Sequence, residues 1–508
     1  MNNETILRER CREALELTKR HGANEVEIFA QTVHSISADI EKHDLQTSSS
    51  QQETMVGIRA LVNQQVGFAC TNVLDDLEAT CSDAVRLAKV SPKDENNVLA
   101  NPVAFESVPD LYDAKAESFS VSDAVEQTIR MIETADAMDS RLIVGGGTFA
   151  ASRQTRCIVT SRGIDLAEKS SLFTYYAVAT AKDGDKVSNM AFHFDACHFV
   201  DDIDVAPVAT RACRDALGSL GAEKGESFVG PVILAPSAVQ DVLVNLFAFQ
   251  LNAKNAVRGS SRWGKQLGEA VAHASLTMTD NGRLPGGVAT QSFDREGMPH
   301  REITLIESGV AAALMHNGYT AAAMGVANTS HASGSARSTP GISPTNLSIK
   351  PGNVSKDALI GDIKQGLLVN RFSGSSNPIS GDFSGVAKAA TLIKGGKLDR
   401  PVTGTLIAGN VFDVLESLSG VSSETERTFT ATLPYLRLDL GNSRIEPAKT
   451  SESKKRGANG HPIHPFLACK ATTRAWPCPQ GSPTRTRSIQ GSRKGLQASA
   501  PGHARPIE

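Results

Sequence analysis

Soft metal-ligand types crowd one short stretch of the chain. His193, Cys197 and His198 stand in the run AFHFDACHF, with Asp195 between them. Imidazole and thiolate are the donors zinc takes most readily. A zinc site needs a further spaced partner pair, and none is evident, so the stretch reads as a strand edge or core loop with satisfied histidines. A second constellation is GxGxxA at Gly145, Gly147 and Ala150 in RLIVGGGTFA, with Asp165 twenty residues beyond Gly145. That spacing mimics a dinucleotide fingerprint, whose chemistry needs a helix N-terminus aimed at the pyrophosphate. Thr148 to Ser152 and then the β-rich CIVT of 157–160 carry no helix signal. The glycines therefore predict a hairpin bend. The chain has no GxSxG elbow, GxxxxGK[ST] loop, HExxH or EF-hand loop. His21, His34, His43, His273, His300, His316 and His331 are isolated in the sequence and read as surface or structural residues.

Two loop-rich stretches remain as candidates. Residues 279–297 read TDNGRLPGGVATQSFDREG, and residues 370–398 read NRFSGSSNPISGDFSGVAKAATLIKGGKL. Gly, Ser and Asn at this density make tight turns that let an extended peptide approach the backbone. Hairpin turn chemistry alone explains the same spacing equally well. The loops expected to meet a peptide are 280–287 and 373–384, through Asp280, Ser373, Asn377, Asp382 and Ser384.

The elements that must position these residues emerge from pattern and composition. At 508 residues the chain exceeds what one core supports. A helix over residues 4–21 shows an apolar face at Ile6, Leu7, Cys11, Ala14, Leu15 and Leu17, and Gly22 stops it. Short strand-like runs come next at 25–31, 35–41, 54–62 and 66–71, then polar-faced helices at 75–89 and 121–137. The second of these helices has its N-cap at Ser120 or Ser122, with Glu126 in its first turns. Strand-like runs resume at 141–144, 156–160, 164–169 and 172–180. A helix after Pro236 carries a Ser237/Gln240 capping pair and an apolar stripe at Val239, Val242, Leu243, Leu246 and Phe247. The order predicts an α+β fold: a mixed α/β-sheet domain over 1–220 and a β-rich domain over 221–448.

Residues 449–508 differ in kind. From Ser451 onward the chain carries +8, which leaves −11 on the rest of a chain whose net charge is −3. The acidic body argues against a nucleic-acid groove. The basic segment holds seven of the 22 prolines and almost no apolar periodicity, the composition of disorder. It reads as an appended C-terminus or as an RNA-binding tail. No apolar run reaches a membrane span, the N-terminus lacks a signal-peptide core, and eight scattered cysteines without a CxxC pair fit a cytoplasmic compartment.

Several segments in unbroken order resemble the TldD/PmbA family: TMVGIRALVNQQVGFACTN, IVTSRGID, RGSSRWGKQLG, TDNGRLPGG, FDREG and SGDFSGVAKAATLIKGGKLDRPVTGTLIAGN. The resemblance spans about residues 5–445. It implies an N-terminal α+β domain, a C-terminal β-rich, barrel-like domain, and a cytosolic protein working in a dimer. The family has a TldD type, a zinc peptidase whose HExxxH helix and C-terminal Cys hold the metal, and a TldE (PmbA) type without them. Counting back from Arg258–Ser261 (RGSS), the motif positions fall at Val244, Asn245 and Phe249. Val and Phe offer no lone pair to zinc, and an Asn amide takes no proton from water. Residues 420–440 contain no Cys. By this resemblance Val244 and Phe249 fill the former metal cavity and the chain holds no cofactor. It pairs with a zinc-bearing TldD-type subunit, or with itself when alone, and helps degrade small unfolded peptides. Family roles include processing of peptide-antibiotic precursors and turnover of antitoxins. The other expectations are an autonomous peptidase built on His193, Cys197 and His198, and a binding or regulatory protein.

Overall fold

A computed structural model gives the fold and describes residues 3–225 and 227–439, with the backbone of 446–447. The expectations attached to the basic segment lie outside these residues.

Helix α1 (Asn3–Arg20) buries Leu7, Cys11, Ala14 and Leu17 along one face. Gly22 ends it at φ +103, a backbone region open to glycine because it has no Cβ. Strand β1 (Glu25–Glu41) then alternates: Val26, Ile28 and Ala30 join the core under α1, while Glu27 and Phe29 point from the other face. β2 (Asp44–Val62) and β3 (Gln65–Thr71) lead to α2 (Leu77–Val90) and α3 (Val121–Met138). β4 (Leu142–Thr160), β5 (Asp165–Asp183), β6 (Lys186–Val187) and β7 (Ala191–Cys197) come next, and then α4 (Ala206–Gly218). The strands form one antiparallel sheet in the order β3-β2-β1-β4-β5-β6, with β7 beside β5. α1 and α2 cover one end of a single face, and α3 and α4 cover the other.

These strands run longer than the apolar runs predicted. Residues 25–31 and 35–41 fuse into β1, and the exposed polar stretch of 44–53 belongs to β2. Strand pairing with β1 holds that stretch extended, although neither of its faces is covered and no alternation marks it. The glycines at 145–147 are not a hairpin bend. They lie inside β4, where the register against β5 slips between Val144 and Gly146, a bulge that glycine accommodates. Asp165 receives Arg8 and Arg12 of α1 rather than a ribose. The capping box of α3 pairs Ser120 with Asp123, not Glu126.

The second half is an eleven-stranded mixed sheet. Its path runs from Val310–Ala311 through Glu302–Glu307, Met278–Asn281, Leu347–Ile349, Ala431–Leu438, Val232–Leu234, Gln365–Val369, Ala390–Lys394 and Lys397–Thr403 to Glu223–Lys224, with Leu418–Thr428 beside Ala431–Leu438. The ladder is long but does not close by hydrogen bonds among the described residues. Gly395 and Gly396, both left-handed, make the two-residue turn between Ala390–Lys394 and Lys397–Thr403, as hairpins of this length require. A four-stranded sheet, Arg371–Ser376, Asp382–Lys388, Thr405–Asn410 and Glu446–Pro447, stands beside it. The α+β class read from the sequence is the class observed.

The uncovered face of the first sheet meets residues 291–298 of the second half. Glu27 and Arg59 are cross-strand partners on β1 and β2, and both are buried. Arg59 donates to Glu27 at 2.5 Å and to Glu296 at 3.2 Å, while Arg295 donates to the other oxygen of Glu27 at 2.8 Å. The Arg295 guanidinium also lies 4.0 Å over the Phe29 ring. Arg156 on β4 pairs with Glu168 on β5 and donates to the Phe293 carbonyl. Apolar contacts among Phe29, Met55, Ile158, Ile164, Phe293 and Ala336 surround the charges. At Gly57 an added Cβ would lie 2.4 Å from the Ala336 carbonyl oxygen, so the two halves touch backbone to backbone.

No helix among the described residues is long and apolar enough to cross a membrane. Removing one partner of a buried ion network leaves uncompensated charge and costs about 3–5 kcal/mol. Arg59→Met, which strands Glu27 and Glu296 together, is expected to lower unfolding free energy by that amount in a denaturant titration; a loss near zero would mean the network does not hold the two halves.

Candidate functional site

The region that would carry the chemistry is built on residues 236–250. Pro236 occupies the first helical position after Ala235, where its missing N–H costs nothing. Ser237 therefore lies inside the helix, and the expected Ser237/Gln240 capping pair does not form. An α-helical turn (Pro236–Val239) passes into a π-helical turn (Gln240–Val244) and back to α-helix (Asn245–Gln250). Val239, Val242, Leu243, Leu246 and Phe247 are buried in the core of the second half. π-turns recur at functional positions because they re-aim the side chains around them. Here the turn presents Asp241, which accepts Arg371 Nε at 2.7 Å, Arg371 Nη2 at 3.1 Å and the Phe372 N–H at 3.0 Å.

Gln250 closes the other end of this helix and is fully buried. Its Oε1 accepts the N–H of Arg262 at 2.7 Å, and Ser261 Oγ donates to the Gln250 carbonyl at 2.6 Å. Its Nε2 donates to the Pro378 carbonyl at 2.5 Å. The RGSSRWG segment is thereby tied to the helix end. The hairpin Arg371–Ser376/Asp382–Lys388 is pinned along the helix at Asp241 and again at Gln250. Arg371–Ser376 is the edge strand of its sheet, and the bond from the Phe372 N–H to Asp241 turns that edge toward the helix.

Val244 and Phe249 are half-buried and Asn245 is exposed. These positions flank the buried stripe, so Val244 touches the core only from its margin. None of the three fits zinc, because two have no donor atom and the third is a neutral amide facing solvent. The strands Leu418–Thr428 and Ala431–Leu438, where a thiolate ligand is expected, contain no Cys.

Of the predicted peptide-contacting residues, Ser373, Asn377, Asp382 and Ser384 are exposed on the pinned hairpin. Ser373 pairs with Val386 and Ser375 with Ser384, which puts Ser373 and Ser384 on one face. Asn377 closes the turn: its Oδ1 accepts the N–H of Ile379 at 2.9 Å, and its own N–H donates to the Asp382 carbonyl at 2.8 Å. Asp382 accepts Asn410 Nδ2 at 2.9 Å, and hydrogen bonds from Asn410 and then Ser380 hold its carboxyl below the ordinary range. Asp280 does not join them. It is fully buried, accepting the Thr345 hydroxyl at 2.5 Å and its N–H at 2.9 Å and 3.0 Å, and His331 Nε2 lies 3.1 Å away.

The soft ligands of AFHFDACHF disperse. His193 Nε2 meets Asp215 at 2.8 Å, the Cys197 thiol faces the Phe199 carbonyl, and His198 lies between the carbonyls of Ser171 and Gly287. Asp195 pairs with Arg427. Burial, then Asp202 and Asp195, push the Cys197 thiol up to about 12, the reverse of what a thiolate ligand needs. No group of three or more His, Cys, Asp or Glu among the described residues could hold a metal ion.

Sequence reasoning missed two buried clusters. One is the charged lock at residues 294–296. Asp294 accepts the N–H groups of Glu296, Met298 and Ala332, and Glu296 accepts the Gly318 N–H at 2.7 Å. Burial, then the Glu296 carboxylate, push the Asp294 carboxyl up to about 7. With Asp294 protonated, Arg59 and Arg295 balance Glu27 and Glu296. The second is His300, His316 and His331, isolated in sequence but buried near one another. Burial, then Arg156 and His331, push His300 down to about 3; burial pushes His316 down to about 4.

The pH dependence is set by linkage. The unfolded chain protonates both histidines near pH 6.5 and the native chain does not, so their stabilising contribution is lost as pH falls below about 6.5. Asp294 has the opposite sign: the native carboxyl keeps a proton the unfolded chain releases, so its contribution is lost as pH rises from about 4 toward 7. Burial also raises the Glu296 carboxyl, so two carboxyls oppose the two histidines as pH falls. His300→Gln is expected to remove one proton from the acid-side dependence of stability in melts taken across pH 4–7; an unchanged slope would mean that His300 does not contribute to it.

Three consecutive models of the PmbA/TldA metallopeptidases match the chain: domain 1 over residues 26–88, the central domain over 114–220 and the C-terminal domain over 227–442. A metalloprotease PmbA homologue of Haemophilus influenzae is 24% identical over 450 residues, 86% of this chain and 95% of that one. A metalloprotease TldD homologue of the same organism is 26% identical over 387 residues, 73% of this chain and 80% of that one. The crystal structure of TldE from Thermococcus kodakarensis shares the fold, with a TM-score of 0.78 and 24% identity over 86% of this chain and all of that one. With its three domain models matched in order from residue 26 to residue 442, the chain belongs to the TldD/PmbA family of metallopeptidases.

Proposed function

We propose that this chain is the metal-free subunit of a TldD-type zinc peptidase that acts on small unfolded peptides in the cytoplasm. The observation that carries the reading is the surface at Val244, Asn245 and Phe249, which offers neither a zinc ligand nor a base. The helix beneath it is fastened at both ends, by Asp241 to Arg371 and by Gln250 to Pro378, yet the side chains at the family's ligand positions cannot bind zinc or activate water. Zinc and its activated water then belong to the partner. This chain walls the chamber, and the edge strand Arg371–Ser376, with Ser373, Asn377, Asp382 and Ser384 beside it, lends backbone to an extended peptide. Paired subunits of the two family types in a heterodimer are the consequence of this division of labour. The autonomous-peptidase reading loses support because His193, Cys197 and His198 each have other partners.

The test is cleavage of an unfolded peptide by this chain alone, by a TldD-type subunit from the same cell, and by the two mixed. The expected result is no cleavage by this chain alone and cleavage by the mixture beyond that of the other subunit. Chelator-sensitive cleavage by this chain alone would sink the reading.

A further inference from the structure

Strand β2 runs well past its neighbour on the outer side. β3 pairs only with Val56–Val62, so no strand among the described residues lies along the outer edge from Asp44 to Met55. On the inner side Gln46 has no partner, because the register steps from Thr47 opposite Asp39 to Leu45 opposite Ile40. Such a bulge bends the strand. A regular, open edge therefore extends from Thr47 to Met55, about 30 Å of strand.

Burial does not hold this edge in place, since every residue from Gln46 to Glu53 is exposed, whichever face it points from. Side-chain bonds to β1 hold it instead. On one face Thr47 Oγ1 donates to Asp39 at 2.9 Å, and Ser49 Oγ lies 3.1 Å from Ser37 Oγ. On the other, Ser50 Oγ lies 3.0 Å from His34 Nε2, and Thr54 Oγ1 lies 2.9 Å from Thr32 Oγ1. The edge is thus extended and fixed before anything pairs with it. Open edges of this length are templates for another chain, and proteins ordinarily block them with lysine, proline or a bulge. From Thr47 to Met55 the sequence TSSSQQETM has no lysine or proline, and its register is unbroken. Its one charge, Glu53, is paired with Arg337. Neutral hydroxyls and amides along both faces do not repel a second strand of the same sequence.

We infer that the outer edge of β2 pairs with the same edge of a second copy of this chain, antiparallel about a two-fold axis at Ser50. The bulge at Gln46 closes one end of the lane, and exposure stops after Glu53 at the other. Ser50 is the midpoint of the regular, exposed stretch Thr47–Glu53. About that axis Ser50 faces Ser50, Ser49 faces Gln51, Ser48 faces Gln52 and Thr47 faces Glu53. Each pair sets a hydroxyl against a hydroxyl, an amide or a carboxylate, and no like charges meet. A two-fold contact also consumes both open edges at once, leaving none to propagate. The edge holds one neighbour at a time, so a strand from a different partner would displace the second copy. The inference concerns the chain by itself and does not rest on the subunit role proposed above.

The experiment is sedimentation velocity on the full-length chain at concentrations up to about 100 μM, suited to a contact at the small end of specific interfaces. The wild type is expected to populate a dimer. Ser50→Lys sets two ammonium groups against each other across the axis and should leave a monomer. Ser50→Glu should do the same with two carboxylates, and an equal mixture of the two variants should dimerise again. Because position 50 is exposed, the circular dichroism melt of each variant should match the wild type. A monomeric wild type would leave the edge to some other strand and overturn the inference. A dimer that survives Ser50→Lys would place the contact on another face and overturn it too, as would a mixture of variants that stays monomeric. Because the chain is measured alone, each of these results leaves the partner role to the mixing assay.

Discussion

Four charged side chains withdrawn from water hold the two halves of this molecule in register. Glu27 and Arg59 face each other across β1 and β2, and Arg295 and Glu296 arrive from the second half to complete the set. Burial alone would raise the Glu27 carboxyl; Arg59 and Arg295 outweigh it and hold it below the ordinary range. Buried ion pairs of this kind contribute little net stability compared with apolar packing, but they tolerate no missing partner. The same loop is tied further into the second half. Asp294 fixes Ala332, next to His331 and its partner Asp280, while Glu296 fixes Gly318 at the start of the helix Gly318–Met324.

That anchor leads to the candidate site. The helix 236–250 buries one face in the second core, and its π-turn and terminal Gln250 use their polar groups to position the hairpin beside it. The surface left free is the outward one with Val244, Asn245 and Phe249. Rigid support around positions that cannot hold zinc accords with the proposed division of labour, in which this chain contributes walls and backbone.

Much of this is legible in the sequence where one face is covered. Helix α1, the start of α3 at Ser120, the apolar stripe after Pro236 and the Gly395–Gly396 turn all leave local signals. The exposed half of β2 does not, because its pairing with β1 and not burial keeps it extended. Asp280 reads as a peptide-contacting loop residue since its partners His331 and Thr345 lie 51 and 65 residues away. The charged lock does leave a signal: Glu27 and Arg59 each interrupt an otherwise apolar run, EVEIFA and TMVGIRALV. Charges placed among buried residues imply buried partners. The hairpin bend expected at Gly145–Gly147 fails because glycine marks a bulge within a strand as readily as a turn.

The function proposed for this chain turns on its pairing with a zinc-bearing subunit without holding zinc itself. Native mass spectrometry of the purified chain, of a TldD-type subunit from the same cell and of their mixture would count both protomers and metal directly. The expected result is a one-to-one complex carrying a single zinc ion and no zinc on this chain alone. Zinc retained by this chain alone, or two zinc ions in the complex, would contradict it.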